Sequence, residues 1–363
     1  MTPSTSSLTK SRKKSGKART KHRRVLMICH NDLVPPDSIR GLSDEDISEW
    51  RTEFDVLSTM RDLNYEIEVL GVGDDIDVIR KAIEGFKPEV CFNLIVEFLG
   101  AANYDQHVVS YLELHRQPYT GCNPRGLTLS RDKALSKKVL AWHGLPVPKF
   151  GVFPMNRRVR RPKELEFPLF IKSLNEEASL GISQASIVHD DTRLEQRVRF
   201  IHEKVGTDAI AEEYIEGREF YIGILGNDRL EALPLWELNI PNLPEGAPRI
   251  ATRRLKWDIP YQRSLKVKNR RATDLSVKLE ASIQRAAKDV YRALGLSGFA
   301  RLDLRMRPDG RFYFLEANPN PDLTYGEDFA ESAEAAGIPY ETLIERIVDL
   351  GVRYPVEWRH GTS

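Results

Sequence analysis

The chain has 363 residues, 41% hydrophobic and 29% charged, so it is long enough for two or three domains with a substantial core. No stretch approaches the roughly eighteen apolar residues that a membrane span needs, and no secretory hydrophobic region follows the first Met. The three cysteines, Cys29, Cys91 and Cys122, are odd in number and widely spaced. They indicate a reducing, cytoplasmic compartment and exclude a disulfide framework.

Positive charge is concentrated at the start of the chain. Residues 1–24 carry nine Lys or Arg and no acid, whereas the whole chain has a net charge of +1, so the remaining residues together are acidic. This segment has almost no apolar side chains, which predicts a disordered basic tail over residues 1–23. Such an arm could contact nucleic acid or an anionic surface. We expect a solubilising tail instead, and no membrane contact.

The next hundred residues alternate apolar strands with helices. This alternation predicts an α/β fold with a Rossmann-like open parallel sheet over residues 24–125. No GxGxxG sequence follows the first strand, so nothing supports dinucleotide binding there. The expected strands lie at 24–29, 67–72 and 90–96, and the expected helices at 44–63 and about 105–116.

The second half of the chain has a different pattern. A helix at 132–143 would bury a stripe of Leu135, Val139 and Trp142, and residues 239–270, rich in Pro, Arg and Lys, would form a long loop. The other expected elements are strands at 168–173, 185–190, 209–215 and 219–225 and helices at 274–294 and 340–350.

Residues 299–321 contain the most informative pattern, two alternating apolar runs around Pro308-Asp309-Gly310. If Asp309 and Gly310 form a hairpin tip, Asp303 lies opposite Glu316 and Arg301 lies opposite Asn318, all on one face. A three-residue loop would break this register. Two carboxylates and an amide oxygen are hard ligands that suit Mg²⁺, although a solvated polar face is the alternative interpretation.

Four ordered motifs extend this pattern: residues 118–148, 168–183, 209–227 and 298–321. Together they resemble the ATP-grasp superfamily and, within it, the D-alanine–D-alanine ligases. No Walker A sequence is present, so the nucleotide site is not a P-loop. The resemblance implies an N-terminal open-sheet domain (24–125), a small central α+β lid (126–215), a C-terminal antiparallel-sheet domain (216–353) and a tail (354–363).

The resemblance implies an ATP site between two sheets. Lys133 and Lys172 would lie near the phosphates, where each supplies a compact positive charge. Ser179 lies in a segment that resembles the family's phosphate lid, although Glu176, Glu177 and Ala178 depart from its small, serine-rich pattern. The residues implied at adenine and ribose, in the segment EEYIEGRE, are Glu212, Tyr214, Ile215 and Glu219.

The resemblance also assigns the hairpin residues. Asp303, Glu316 and Asn318 would hold Mg²⁺, two ions in the family, with Mn²⁺ as an alternative. Arg301 would stabilise the acyl-phosphate and the tetrahedral oxyanion. Lys256, in RRLKWD, resembles a lysine of the mobile loop that closes on the γ-phosphate.

The implied activity is ATP-dependent ligation of a small carboxylate to a small amine through an acyl-phosphate, in a protein that can be a homodimer. Ligation of another amino acid, a peptide or a natural product is an alternative, as is a nucleotide-binding protein without ligase activity. The chain departs from the family after Asn318, where it reads PNPDLTYGED with Asp322, Glu327 and Asp328. Acids at this position would repel a nucleophile that carries a carboxylate, so they favour an amine without one or a cationic, polyamine-like amine. Glu53 loosely matches an acid that contacts a substrate amine.

Overall fold

The computed structural model describes residues 22–175, 181–244, 246–252, 254–255 and 258–354. Three sheets organise these residues. No helix among them is long and apolar enough to cross a membrane. The predicted tail lies outside the described ranges except for His22 and Arg23, and the Arg23 side chain is buried against Glu89 and Asp349.

The first sheet confirms the predicted parallel arrangement. Its central strand β1 (Arg24–His30) pairs in parallel with β2 (Glu66–Val72) and β3 (Val90–Asn93). The helices around it are α1 (Asp44–Ser48), α2 (Arg51–Asp62), α3 (Asp77–Phe86) and α4 (Asp105–Leu114). Alternate β1 side chains enter two separate cores, so both faces of the strand are covered.

The single helix predicted over 44–63 is wrong, because the structure has two helices there. Ser43 caps the first one through a capping box with Asp46. Trp50 then leaves helical geometry, with φ −118° and ψ 23°, before α2 begins at Arg51. Asp55 of α2 accepts a hydrogen bond from the backbone N–H of Tyr325, so tertiary contacts fix this helix against the C-terminal part of the chain.

The second sheet is antiparallel, in the order β4-β7-β5-β6. Its strands are β4 (Phe150–Phe153), β5 (Leu169–Ser173), β6 (Ile187–Val188) and β7 (Ala209–Glu213). One face packs on α7 (Asp191–Phe200) and its π-helical continuation Ile201–Val205. The other face carries Lys172 and Glu212, because Lys172 pairs with Ile210 and Phe170 pairs with Glu212.

Helix α6 (Lys133–Trp142), preceded by α5 (Pro124–Arg131), contradicts the predicted apolar stripe. Trp142 is 88% exposed and Leu135 is 37% exposed, whereas Lys133 and Lys137 are buried. Asp132 caps the helix. The helix turns Lys133 and Lys137 inward, and Lys137 finds its acceptors in the carbonyl of Leu315 and the carboxylate of Glu212.

The third sheet is antiparallel, in the order β11-β10-β8-β12-β13, with β9 beside β8. Its strands are β8 (Arg218–Leu225), β9 (Glu231–Ala232), β10 (Trp236–Asn239), β11 (Lys268–Arg271), β12 (Phe299–Met306) and β13 (Phe312–Pro319). The associated helices are α8 (Ile259–Leu265), α9 (Val277–Ala293), α10 (Asp328–Ala335) and α11 (Tyr340–Arg353). The loop predicted over 239–270 is therefore wrong, since it contains α8 and part of β11.

The β12–β13 hairpin contains the predicted pairs, although its loop differs from the predicted one. Its loop has three residues, because Arg307 pairs with Arg311 and Gly310 adopts a positive φ of 84°. Next to the loop the register is therefore shifted by one residue from the prediction. A β-bulge between Asp303 and Leu304 leaves Leu315 unpaired and shifts the register back. Asp303 then lies opposite Glu316, and Arg301 lies opposite Asn318.

The orientation of α6 predicts different costs for two apolar truncations on the same helix. Leu140 is 4% exposed, whereas Trp142 is 88% exposed. We expect Leu140→Ala to lower the free energy of unfolding by about 2–5 kcal/mol through cavity formation. Trp142→Ala should change it by less than about 0.5 kcal/mol. Chemical denaturation of both variants measures the difference, and equal losses would contradict the orientation of this helix.

Candidate functional site

A cleft of about 1030 Å³ lies between the second and third sheets. Side chains from both sheets and from the N-terminus of α6 face it. Of the residues singled out from the sequence, the cleft is lined by Lys133, Lys172, Glu212, Tyr214, Ile215, Glu219, Arg301, Asp303, Glu316 and Asn318. The structure therefore brings these residues into one cavity. Ser179 and Lys256 lie outside the described residues, as do Glu176, Glu177 and Ala178 of the predicted lid.

The hairpin contributes a polar face to the cleft. Arg301 donates to Asp303 in a bidentate pair, with Nε–Oδ1 2.8 Å and Nη2–Oδ2 3.0 Å, and its guanidinium lies 5.0 Å from the ring centroid of Tyr221. Burial opposes the charge on Arg301, but Asp303 outweighs burial and raises the pKa of the guanidinium. Arg301 therefore stays positive and is held in a fixed orientation beside Glu316 and Asn318.

Three buried charges lie together beside the second sheet; Lys172 and Glu212 line the cleft, and Lys137 lies behind them. One carboxylate oxygen of Glu212, Oε1, lies 3.0 Å from Lys137 Nζ and 3.1 Å from Lys172 Nζ. Burial favours the neutral carboxyl, but the two lysines outweigh it and lower the pKa of Glu212. Burial also opposes the charge of Lys172, but Glu212 and Glu316 raise its pKa. Lys172 therefore remains a cation inside the cleft.

Arg305 lines the cleft and was not singled out from the sequence. Its guanidinium donates to Ile215 O at 2.7 Å, Gly217 O at 2.9 Å and Glu219 Oε2 at 2.9 Å. The residue is only 4% exposed. It thus fixes the segment between β7 and β8 that carries the predicted adenine and ribose contacts. The alternation Arg301, Asp303, Arg305 on one strand face was the available signal.

The other end of the cleft is acidic. Its wall includes Asp322, Glu327, Asp328 and Glu331. Neutral groups orient two of these acids: Asp322 Oδ1 accepts from Thr52 Oγ1 at 3.0 Å, and Asn269 Nδ2 donates to both Asp328 oxygens at 2.8 and 2.7 Å. Burial, followed by the charges of Asp322 and Asp328, raises the pKa of Glu327. Carboxylates therefore outnumber cations at this end, although the charge of Arg51 opposes the shift at Glu327.

Glu53 lies behind this acidic end. It is on α2, next to Thr52, and only 5% exposed. Burial is the main cause that raises the pKa of Glu53 to about 7, and the charge of Asp322 adds to it. Its carboxyl therefore exchanges a proton near neutral pH.

Comparisons with known proteins agree with this geometry. A family model described as D-ala D-ala ligase C-terminus matches residues 139–349. An uncharacterized protein of Sinorhizobium fredii is 32% identical over 262 residues, 72% of this chain and 74% of that protein. The D-alanine–D-alanine ligase of Desulforudis audaxviator is 30% identical over 321 residues, 85% of this chain and 95% of that protein.

Solved structures give the same fold. The crystal structure of D-alanine–D-alanine ligase from Bacillus anthracis complexed with ATP matches 91% of this chain and 98% of that chain, with a TM-score of 0.70 and 23% identity. The predicted ATP-grasp architecture is therefore confirmed at the level of the fold.

The raised pKa of Glu53 predicts a pH-dependent stability change. Its folded pKa of about 7 exceeds the ordinary 4.5, so the carboxyl opposes folding once it loses its proton. This cost is absent below about pH 4.5 and grows until about pH 7. Glu53→Gln should therefore stabilise the fold at pH 8, by up to about 3 kcal/mol, and have little effect at pH 4.5. Thermal unfolding at both pH values tests this, with exposed Glu49→Gln as control; a pH-independent effect would contradict it.

Proposed function

This chain belongs to the D-alanine–D-alanine ligase family of ATP-dependent ligases, and we propose that the cleft between its second and third sheets is the active site. In the proposed reaction a substrate carboxylate attacks the γ-phosphate of ATP, giving an acyl-phosphate and ADP. An amine then attacks the acyl carbon, phosphate leaves, and the amine nitrogen loses a proton as the amide forms. A homodimer and a cytoplasmic location remain predictions.

One observation carries this proposal. A single cavity contains the hairpin face of Arg301, Asp303, Glu316 and Asn318 and, across from it, the buried cation Lys172. Phosphoryl transfer needs little more from a protein than cations and metal ligands placed around the transferred group. This arrangement also favours a ligase over a protein that only binds nucleotide, since binding alone does not require the complete hairpin set.

Magnesium fits the donor set of the hairpin. Asp303, Glu316 and Asn318 offer two carboxylates and an amide, which are the hard oxygen donors that Mg²⁺ prefers and Mn²⁺ accepts. When bound there, the metal would offset the negative charge that accumulates between phosphate and carboxylate. Arg301 already pairs with Asp303, and this pairing keeps its guanidinium directed along the same face. We propose that Arg301 stabilises charge on the acyl-phosphate and the oxyanion.

We propose that the nucleotide base lies against the segment after β7. Tyr214 N donates to Pro168 O at 3.0 Å, and Ile215 O accepts from Arg305 Nε at 2.7 Å. The other two backbone groups of this pair, Tyr214 O and Ile215 N, are thus the candidates for the adenine edge, with Glu212 beside them. Glu219 would accept from the ribose hydroxyls. Lys133 and Lys172 would contact the phosphates, and the roles of Ser179 and Lys256 remain predictions.

The acidic end suggests the class of amine. A carboxylate brought to about 4 Å from one of these acids, at an effective dielectric of about 20 and with no cation between them, is disfavoured by about 4 kcal/mol, which is an upper bound. That energy approaches a thousandfold in affinity. Arg253, Arg254 and Lys256 are the cations of the nearby loop that could neutralise these acids. Arg253 and Lys256 lie outside the described residues, and Arg254 is engaged with Asp258 at 3.1 Å and with the ring of Tyr261. We therefore propose an amine that lacks a nearby carboxylate or carries additional positive charge.

The metal assignment predicts the effect of two isosteric changes. Asp303→Asn and Glu316→Gln should each abolish Mg²⁺-dependent ADP formation, because each removes a charged ligand without changing side-chain size. Far-ultraviolet circular dichroism should remain that of the wild type. Asp309→Asn, at the exposed hairpin tip, is the matched control and should keep full activity. Wild-type turnover by either cleft variant would exclude this metal site.

The amine class is tested by phosphate release with D-alanine as the carboxylate substrate and three amines: D-alanine, D-alaninamide and ethylenediamine. We expect the two amines without a carboxylate to give at least about tenfold higher kcat/KM than D-alanine. The charge repulsion estimated above sets an upper limit of about a thousandfold on this difference. Glu327→Gln should reduce the difference in kcat/KM between D-alanine and the two other amines. Glu334→Gln, on the exposed side of α10, should leave that difference unchanged. D-alanine as the best amine, with no gain from its amide or the diamine, would overturn the assignment.

A further inference from the structure

The β-bulge in β13 decides which side chains enter the cleft. Phe314 pairs with Leu304 and faces the core, whereas Glu316 pairs with Asp303 and faces the cleft. Leu315 is the additional residue between them. Without the bulge, strict alternation would pair Asp303 with Leu315, and Glu316 and Asn318 would turn toward the core. The proposed metal site therefore exists only while the bulge is maintained at this position.

Lys137 contacts this bulge directly. Its side chain is 1% exposed, and its ammonium donates to the backbone carbonyl of Leu315. A second contact lies beside it, because the N–H of Phe314 donates to Pro146 O at 2.8 Å. Helix α6 and the segment that follows it thus bind the bulged strand on both sides of the additional residue.

The same ammonium contacts the nucleotide end of the cleft. Lys137 Nζ lies 3.0 Å from Glu212 Oε1, and the same oxygen lies 3.1 Å from Lys172 Nζ. Lys137 therefore joins three elements that are distant in sequence: α6, β7 and β13. A buried lysine is costly unless acceptors satisfy its charge. The carbonyl of Leu315 and the carboxylate of Glu212 supply those acceptors.

We propose that Lys137 is a positioning residue that holds the bulge at Leu315 so that Glu316 faces Asp303, and that couples this register to Glu212 on the nucleotide strand. The inference rests on the proposed function, since it concerns the ligands of the proposed metal site. Lys137 itself does not line the cleft, so it acts through its neighbours.

The test compares Lys137→Met with Lys138→Met, its exposed neighbour on the same helix. Mn²⁺ binding, followed by electron paramagnetic resonance with a non-hydrolysable ATP analogue, reports on the metal ligands without turnover. We expect Lys137→Met to weaken Mn²⁺ binding by about 10–100-fold, the range typical for residues that orient metal ligands. Lys138→Met should match the wild type, and Lys137→Arg, which keeps a cationic donor, should recover most of the affinity.

A second pair of variants separates the two contacts of Lys137 and keeps the test usable if Lys137→Met folds poorly. Glu212→Gln removes the buried carboxylate, so Lys137→Met in that background leaves no unpaired acid behind. The proposal predicts that the double variant binds Mn²⁺ at least about tenfold more weakly than Glu212→Gln alone. Equal affinities of these two variants would overturn it, because Lys137 would then only neutralise Glu212.

A failure of the positioning role of Lys137 can be distinguished from a failure of the proposed metal site. Wild-type protein that binds Mn²⁺ no better than Asp303→Asn would refute the metal site itself, whatever Lys137 does. Wild-type binding that Asp303→Asn abolishes, together with an unaffected Lys137→Met variant, would keep the metal site and refute the positioning role.

Discussion

The register of one hairpin is the constraint on which the rest of the site depends. A three-residue turn places the two strands one residue out of the arrangement that the cleft requires, and a single additional residue, Leu315, restores it. Because side chains alternate along a strand, this one residue determines whether Glu316 and Asn318 face the cleft or the core. Lys172, the segment after β7 and the acidic wall line the same cleft as that face, so their positions matter only if Glu316 and Asn318 point into the cleft.

Buried charges maintain the geometry around the hairpin. Lys137, Lys172 and Glu212 satisfy one another inside a region where an unpaired charge would be costly, and Arg305 connects β12 to the segment that contains Ile215 and Gly217. Arg301 is held by Asp303 before any ligand arrives. Such preorganisation allows a site to stabilise developing charge without first rearranging its own dipoles.

The two ends of the cleft have opposite electrostatic character. Cations at one end suit a triphosphate, while Asp322, Glu327 and Asp328 make the other end unfavourable for a second anion. The proposed amine preference is therefore compatible with the proposed metal and nucleotide sites, because the acidic residues and the hairpin ligands belong to different elements. The acids belong to the segment after β13 and to the start of α10.

The sequence by itself determined the parallel sheet and the existence of the β12–β13 hairpin, since apolar alternation and turn residues act locally. It also named Asp303 and Glu316 as a pair, but from a two-residue tip that the structure does not have, so the pairing depends on the bulge. The sequence motifs also identified Lys172, Glu212 and Glu219 as candidate site residues. Only the tertiary structure decided the orientation of α6, where local pattern favoured burial of Trp142 but distant acceptors drew Lys137 inward. It also decided the bulge at Leu315 and the role of Arg305. A bulge and a buried ion pair are stabilised by partners far along the chain, so no local periodicity encodes them.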